Sequence, residues 1–567
     1  MQPCLYYHPE AYTTSGPKLM GRNAAGESFL RGYLQHGRPQ AWWVQVTQEA
    51  HAQHFATTAR AAGRPEPVQS VTKANLGALA QAGLLYLPGP GLAEHARHRA
   101  LAGGETGHRA WALCGITHTT SSAGAMDALV QLVTEPIQAW DALICTSTAV
   151  KAHVERILQA RVDELQQRLG IARVVLPMMP VIPLGVHTQD FQVSAAQRAA
   201  ARQTIGAGPD ALVVLFMGRL SFHAKAHPLA MYQALERAAA RTAKPVVLVE
   251  CGWHANEFIQ KAYADAAAAA CPTVSVVTLD GRVAEQRNQA WACADVFCSL
   301  SDNIQETFGI TPIEAMAAGL PVVVSDWDGY KDTVRDGLDG FRVPTTMPPS
   351  GLGADLAARH ALELDTYDMY CGHTCSLVAV DIEACTTAFE RLFMSPELRR
   401  QMGQQGQERA RTNYEWKTVI GQYEQLWAEQ DARRNTAPPP QNTAAQARWP
   451  ARLDPFDAFA HYATRALAGT DELELAGDSL DAAQAQARAW RALSMVNFAN
   501  RVVPEPVLVD RVLQQLASGP ARVQALLSAA APEQHALLCR GLVWMLKMGL
   551  VRRAAPPGQP TGKPGVG

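Results

Sequence analysis

The chain has 567 residues, enough for three or four domains. With 48% hydrophobic residues, 18% charged residues and a formal net charge of −2, its composition is ordinary for a globular protein. That balance gives no reason to expect nucleic acid as a partner, and a peripheral membrane contact has no support in it. No apolar run approaches the roughly 20 residues a membrane helix needs. The opening stretch, MQPCLYYHPEAYTTSG, has no basic region followed by an apolar core, so no secretory leader is expected. The eleven cysteines are scattered without the spacing of secreted domains, which favours reduced thiols and a cytoplasmic location. One cluster, Cys371, His373 and Cys375 with Cys385 beyond, invites a zinc reading. Its C-x3-C spacing has no matched second pair, so no metal site is expected.

From residue 1 to about 190, short apolar runs alternate with helical patterns. Cys4 to Tyr7, Trp42 to Val46, Leu84 to Leu87, Leu113 to Ile116 and Leu143 to Cys145 read as strands. Helical patterns cover Gly26 to His36, Gln48 to Ala61, Ala123 to Leu132 and Ala149 to Leu169. Such alternation predicts a parallel sheet with helices on both faces. Two loops here have the placement of ligand-binding loops. Gly16 to Gly26 (GPKLMGRNAAG) leads from the first strand into a helix. Gly21 in it lets backbone approach a ligand, although the same stretch serves as an ordinary strand-to-helix connection. Gly115 to Thr120 follows a buried strand and carries His118. Strand C-terminal ends are where open α/β sheets hold ligands, while the plain alternative is a loop histidine bonded to backbone.

The second half repeats the alternation. Leu212 to Met217, Val246 to Glu250, Val274 to Thr278, Asp295 to Leu300 and Val322 to Ser325 read as strands, with helices at Pro228 to Arg241 and Val283 to Cys293. Its first strand runs into Gly218-Arg219-Leu220, with Lys225 six residues after Arg219. After Asp295 to Leu300 comes a loop holding Glu306, then Thr311-Pro312-Ile313-Glu314. Thr311 suits an N-cap, Pro312 the first helical position and Glu314 the third, which predicts a capping box. Gly309, Ile310 and Thr311 then lie at a helix N-terminus, whose free N–H groups favour an anion such as phosphate. An acid beside a phosphate is electrostatically awkward unless it accepts hydrogen bonds from sugar hydroxyls, as in dinucleotide folds. Completion of the cap is the simpler role for Glu314, and a solvated loop acid the simpler one for Glu306.

Glu306, seven intervening residues and Glu314, in the context ETFGITPIEAMAAGLPVV with DG-x-x-GF at Asp336 to Phe341, resembles the donor-site signature of retaining glycosyltransferases of family 4. Gly218-Arg219-Leu220 with Lys225 resembles the same family's diphosphate motif, although Ala226, His227 and Pro228 stand where the family often has glycine after the lysine. Val181 to His187 resembles its crossover between halves, with Leu184 and His187 in place of the usual asparagine and acid. The resemblance spans about residues 1 to 430 and is firm from about 210 to 345. It implies a GT-B fold: two Rossmann-like domains facing across a cleft. It implies that Arg219 and Lys225 contact the donor diphosphate, that the amides of Gly309, Ile310 and Thr311 help bind phosphate, and that Glu314 binds ribose. Glu306 and His118 then reach the donor sugar. Two fixed cations offset charge building on a departing phosphate. The resemblance also implies a front-face reaction in which the leaving phosphate helps deprotonate the acceptor, so no carboxylate pair across the sugar is needed.

After Pro344, Thr345 to Gly353 reads as an inserted loop, and Ile382 to Phe393, Pro396 to Arg411 and Trp416 to Glu429 as helices that return to the first domain. The expected organisation is an N-terminal Rossmann-like acceptor domain (1–190) and a Rossmann-like nucleotide-sugar domain with return helices (191–432). A linker (433–449), a helical module (450–555) and a disordered tail (556–567) follow. The run RRNTAPPPQNTAAQAR marks the linker. Val523 to Leu527 with Ala536 to Val551 resembles the helical part of a winged-helix domain. Arg540, Lys547, Arg552 and Arg553 outline a basic face there, without the domain-wide excess of positive charge that nucleic acid binding asks for. The expected function is sugar transfer from a nucleotide diphosphate sugar to a glycan or lipid-linked acceptor, with retention and with no cofactor or metal. The rivals are a glycoside phosphorylase or nucleotide-sugar epimerase on the same fold, and a non-catalytic scaffold that uses the C-terminal module.

Overall fold

The computed structural model describes residues 2–13, 21–439 and 449–554. It divides into two compact units, Met1–Trp449 and Pro450–Gly567. The first unit contains two six-stranded parallel sheets. One is built from β1 (Cys4–Tyr6), β2 (Trp42–Gln45), β3 (Val68–Val71), β4 (Leu84–Tyr86), β5 (Ala112–Ile116) and β6 (Ala142–Ile144), in the order β3-β2-β1-β4-β5-β6. The other is built from β7 (Leu212–Met217), β8 (Val246–Gly252), β9 (Ser275–Asp280), β10 (Val296–Ser299), β11 (Val322–Ser325) and β12 (Gly340–Val343), in the order β9-β8-β7-β10-β11-β12. Each sheet has the strand order of a doubly wound dinucleotide fold, with a topological switch between its first and fourth strands. Two such halves make the GT-B architecture.

The central strands are apolar runs covered on both faces: every residue of β5 (ALCGI) and β7 (LVVLFM) is buried. The edge strands β3 (VQSV) and β9 (SVVTLD) are partly exposed. The polar residues that exposure permits hid β3 from the sequence pattern. Also unpredicted are β12 and the helices Leu92–Ala102, Ala195–Thr204 and Glu257–Ala270.

The return path is firmly packed. Val186 of the crossover bonds through its N–H to the Tyr414 carbonyl, and the Trp416 N–H bonds back to the Val186 carbonyl. A β-carbon on Gly185 would sit 2.4 Å from the Trp416 ring, so that position has room only for glycine. Helix Trp416–Thr436 then lies against the first half. Its Tyr423 and Trp427 join Phe29, Tyr33 and Tyr86 in one aromatic cluster, and Gln430 Nε2 donates to the carbonyls of Leu113 and Trp140. This helix extends into the stretch whose composition predicts a linker. Arg434 Nη1 donates to the Arg109 carbonyl, so ordered structure continues past Arg433. The rest of the linker, 440–448, and the tail beyond 554 lie outside the described residues.

The inserted stretch after Pro344 is more than a loop. Thr345–Thr346 and Ala379–Val380 pair antiparallel at its base, and it carries the helices Ala354–Ala361 and Tyr367–Cys375. The second unit is helical as expected, with one addition. Its helices Leu480–Ala492, Pro506–Leu516, Val523–Ser528 and His535–Lys547 accompany a three-stranded antiparallel sheet of Ala521–Arg522, Glu472–Leu475 and Val551–Arg553. Arg552 and Arg553 of the outlined basic face pair with Glu474 and Asp471. No helix among the described residues is long and apolar enough to cross a membrane.

Candidate functional site

The second sheet splits between β7 and β10, and the two loops leaving those strands are laced together. Asn303 Nδ2 donates to the His223 carbonyl at 2.9 Å, Ser301 Oγ to the Lys225 carbonyl at 3.3 Å, and the His227 N–H to Asp302 Oδ1 at 3.3 Å. This framework brings the predicted charges into contact. Lys225 Nζ lies 2.5 Å from Glu306 Oε2, with both side chains largely shielded from water. Arg219 donates to the Ala224 carbonyl at 2.9 Å and to Gln305 Oε1 at 3.3 Å, beside that pair. Burial by itself pushes the Glu306 carboxyl up. The charge and hydrogen bond of Lys225 and the amides of Thr307 and Phe308 outweigh it, so Glu306 stays below the ordinary carboxylate range.

The adjoining helix starts earlier than its sequence predicts. It runs Ile310–Ala317 behind an N-cap at Gly309, and no capping box forms with Thr311 and Glu314. Gly309 decides this start. Its φ is +78°, and a β-carbon there would fall 1.9 Å from the Tyr330 ring, so the chain enters the helix two residues ahead of the cap expected at Thr311. The amides of Gly309, Ile310 and Thr311 still head the helix, where N–H groups lack helical partners. Two side chains that the cap was expected to consume are left outside it. Thr311 Oγ1 is buried with no hydrogen-bond partner. Glu314 has no hydrogen-bonding partner among the described residues, and burial raises its carboxyl to about 7 against the pull of Arg287 and Lys225.

The first half meets this site with hydroxyls and backbone. Thr307 Oγ1 donates to the His118 carbonyl at 2.9 Å, which fixes the loop carrying His118 beside Glu306. Ser147 Oγ donates to the Thr307 carbonyl at 2.9 Å and to Asp328 Oδ1 at 3.2 Å. Thr148, in the first turn of helix Thr148–Leu169, donates through N–H and hydroxyl to Asp332 at 2.6 and 2.7 Å. Gly21 opens the first helix at an exposed position with open space around it, and no described contact joins it to this group. The part of its loop at 14–20 lies outside the described residues.

Sequence reasoning missed Asp328, Ser147 and Gln305. Asp328 sits at φ +42°, a left-handed conformation uncommon for a residue with a β-carbon and typical of functional sites. Burial, and then the charge of Glu306, raises its carboxyl to about 7. Asp328 and Ser147 each follow a strand by a few residues, so the strand-end rule that singled out His118 applies to them also. In the cluster that invites a zinc reading, His373 Nδ1 faces Asp365 Oδ2 at 3.2 Å and Cys375 Sγ lies 3.3 Å from the Gly372 carbonyl oxygen.

The family model described as Glycosyl transferases group 1 matches residues 211–357. That match lies within the second half of the first unit. The D-inositol 3-phosphate glycosyltransferase of Nocardia farcinica is 28% identical over 221 residues, covering 37% of this chain and 47% of that protein. The protein of the same name from Actinosynnema mirum is 30% identical over 197 residues, covering 34% and 46%. The chain thus spans about half the length of the curated relatives it matches. Among solved structures, HepE from Anabaena in complex with UDP is 16% identical with a TM-score of 0.49, over 76% of this chain and all of that one. Sucrose-phosphate synthase from Thermosynechococcus elongatus is also 16% identical, with a TM-score of 0.45 and the same coverage.

Proposed function

We propose that the protein is a retaining glycosyltransferase of the family 4 type. It moves a sugar from a nucleotide diphosphate sugar to a glycan or lipid-linked glycan acceptor. The observation that carries this reading is the convergence of Arg219, Lys225 and Glu306 at the switch point of the second sheet, beside the helix N-terminus at Gly309. The diphosphate lies between the two cations and the amides of Gly309, Ile310 and Thr311. Glu314, freed from any cap, accepts hydrogen bonds from ribose. Glu306 changes partner from Lys225 to the donor sugar once Lys225 turns to phosphate. His118 approaches that sugar from the first half.

In the reaction, the acceptor hydroxyl oxygen bonds to the anomeric carbon on the face that the diphosphate leaves. The bond from that carbon to the phosphate oxygen breaks. The hydroxyl proton passes to the departing phosphate, and nucleoside diphosphate is released. Arg219 and Lys225 stabilise its growing negative charge. They and the helix N-terminus supply the positive potential a bridging cation would otherwise give, so transfer proceeds without metal. Activity that EDTA abolishes and Mg²⁺ or Mn²⁺ restores contradicts that part.

The deciding experiment is a thermal-shift screen with nucleoside diphosphates, followed by product release from a panel of nucleotide sugars. A ligand that binds only the folded state raises Tm more the tighter it binds. One diphosphate is expected to shift Tm, and its sugar conjugate to be hydrolysed or used. No shift with any of them, and no release, leaves a scaffold.

A further inference from the structure

The segment between Thr345 and Asp381 leaves the second half and reaches the first. It is closed at its base by the Thr345–Val380 strand pair and by a bond from the Asp381 N–H to the Pro344 carbonyl. Its second helix, Tyr367–Cys375, is capped by Thr366, whose hydroxyl accepts from the Met369 N–H. That helix touches three loops of the site. Gly372 packs on the Lys225 loop, where an added β-carbon would stand 3.1 Å from His223 Cβ. Cys371 Sγ lies 3.9 Å from Nε2 of Gln305, the residue that neighbours Glu306 and accepts from Arg219. Across the cleft, the Tyr367 hydroxyl lies 2.9 Å from Ser121 Oγ and 3.3 Å from Thr119 Oγ1, in the loop that carries His118.

We propose that Tyr367 is a positioning residue for the transfer, holding the His118 loop against the donor-sugar end of the site. This rests on the glycosyltransferase reading above. The thiol of Cys371 also bonds to Ser121, and beside that weaker contact stands the Tyr367 hydroxyl. It joins two hydroxyls, so three groups share one short network whose members orient one another. The helix beneath it is fixed on the Lys225 loop and on Gln305. The network therefore ties the position of His118 to the groups that hold the diphosphate. Such a tie acts on the geometry of the reacting sugar and leaves the diphosphate contacts alone. It predicts an effect on turnover and none on donor affinity.

The test uses the full chain and nucleoside diphosphate release from UDP-glucose, UDP-N-acetylglucosamine or GDP-mannose, whichever the wild type turns over. Tyr367→Phe keeps the ring and removes only the hydroxyl. Its kcat is expected to fall about tenfold, within the cost of a small misplacement at a reacting centre. Donor KM, nucleoside diphosphate binding and Tm should stay at wild-type values. Ser121→Ala combined with Thr119→Val removes the same network from the other side and should give the same split. The combination with Tyr367→Phe should be no slower than either alone. Unchanged kcat in Tyr367→Phe, a loss seen in KM, or additive losses overturn the positioning role. If Tyr367→Phe does not fold, the Ser121 and Thr119 variant decides by the same kcat and KM criteria. A wild type that turns over no donor and binds no nucleoside diphosphate overturns the proposed function instead.

Discussion

The two halves of the first unit share one strand order and arm it differently. The second half supplies the charges: Arg219, Lys225, Glu306, Glu314 and Asp328, all from loops or helix starts at the C-terminal edge of its sheet. The first half supplies neutral groups, the hydroxyls of Ser121, Ser147 and Thr148 and the backbone of His118, from the matching edge of its own sheet. The division has a physical logic. A diphosphate is recognised by fixed charge and free amides, which need few residues in fixed places. A sugar and its acceptor are recognised by hydroxyl geometry, which many residue types can meet. One topology thus yields a half with a strict signature and a half without one.

The hardest strain on that division falls on Lys225. Lys225→Ala should cut turnover about a hundredfold or more, the scale of losing a charge-stabilising group. The fold also bears a cost, because Glu306 is left buried without its partner. Lys225→Ala with Glu306→Gln should therefore regain Tm without regaining turnover. Activity near wild type in the single variant defeats the assignment of charge to the second half.

The acids of that half predict opposite pH behaviour. On the proposed reading Glu314 accepts from ribose as a carboxylate, and its carboxyl is raised to about 7. In the free enzyme kcat/KM should fall roughly tenfold per pH unit below that point, and Glu314→Gln should remove the dependence along with most of the activity. Stability moves the other way. A carboxyl whose folded pKa lies above its unfolded one stabilises the fold fully at pH below the unfolded value. That contribution is lost as pH rises through about 7. Glu306, held low, adds stability above its unfolded pKa and loses it only on acidification. Asp328→Asn should raise Tm at pH 8 and change it little at pH 4. An equal shift at both values means that Asp328 is not ionised at a cost.

How far the sequence could be read follows the same division. The strand–helix alternation exposed both sheets because their central strands are uninterrupted apolar runs, as in LVVLFM of β7. It missed β3, whose edge position admits Gln69 and Ser70. Arg219, Lys225 and Glu306 are singled out through the family resemblance of their surrounding motifs, since the spacing of two acids is weak by itself, and the fold brings these three together. The cap expected at Thr311 was not realised, since Tyr330, distant in sequence, forces glycine geometry at Gly309. Tyr367 left no local sign at all: its partners, Thr119 and Ser121, are far away in the chain, and only the folded insertion brings them together.

A smaller effect is expected where the halves meet through charge. Asp332 accepts from Thr148 in the first turn of a helix, so a carboxylate of the second half engages a helix N-terminus of the first. Asp332→Asn keeps the shape and removes the charge. An exposed carboxylate at a helix start contributes about 0.3–1 kcal/mol, so turnover should fall roughly two- to fivefold if closure is what the contact supports. Raising the salt concentration should shrink the difference between variant and wild type. A loss that is insensitive to salt assigns the effect to shape and not to charge.

The smallest effect belongs to Gly21, and it asks whether the first half touches the donor beyond the His118 loop. Gly21 begins helix Gly21–His36, is exposed, and has open space where a β-carbon would go. Nothing among the described residues therefore demands glycine there, and Gly21→Ala should leave Tm unchanged or slightly higher, since alanine is the better helix former. A reason for glycine has to come from a ligand whose phosphate or sugar approaches the backbone closely. On that reading Gly21→Ala raises donor KM by about two- to threefold, the scale of disturbing one neutral hydrogen bond. Gly21→Val raises it further, with kcat less affected in both. Donor KM identical to wild type in both variants removes Gly21 from the site. The first half then meets the donor through the His118 loop, which sharpens the contrast between the halves.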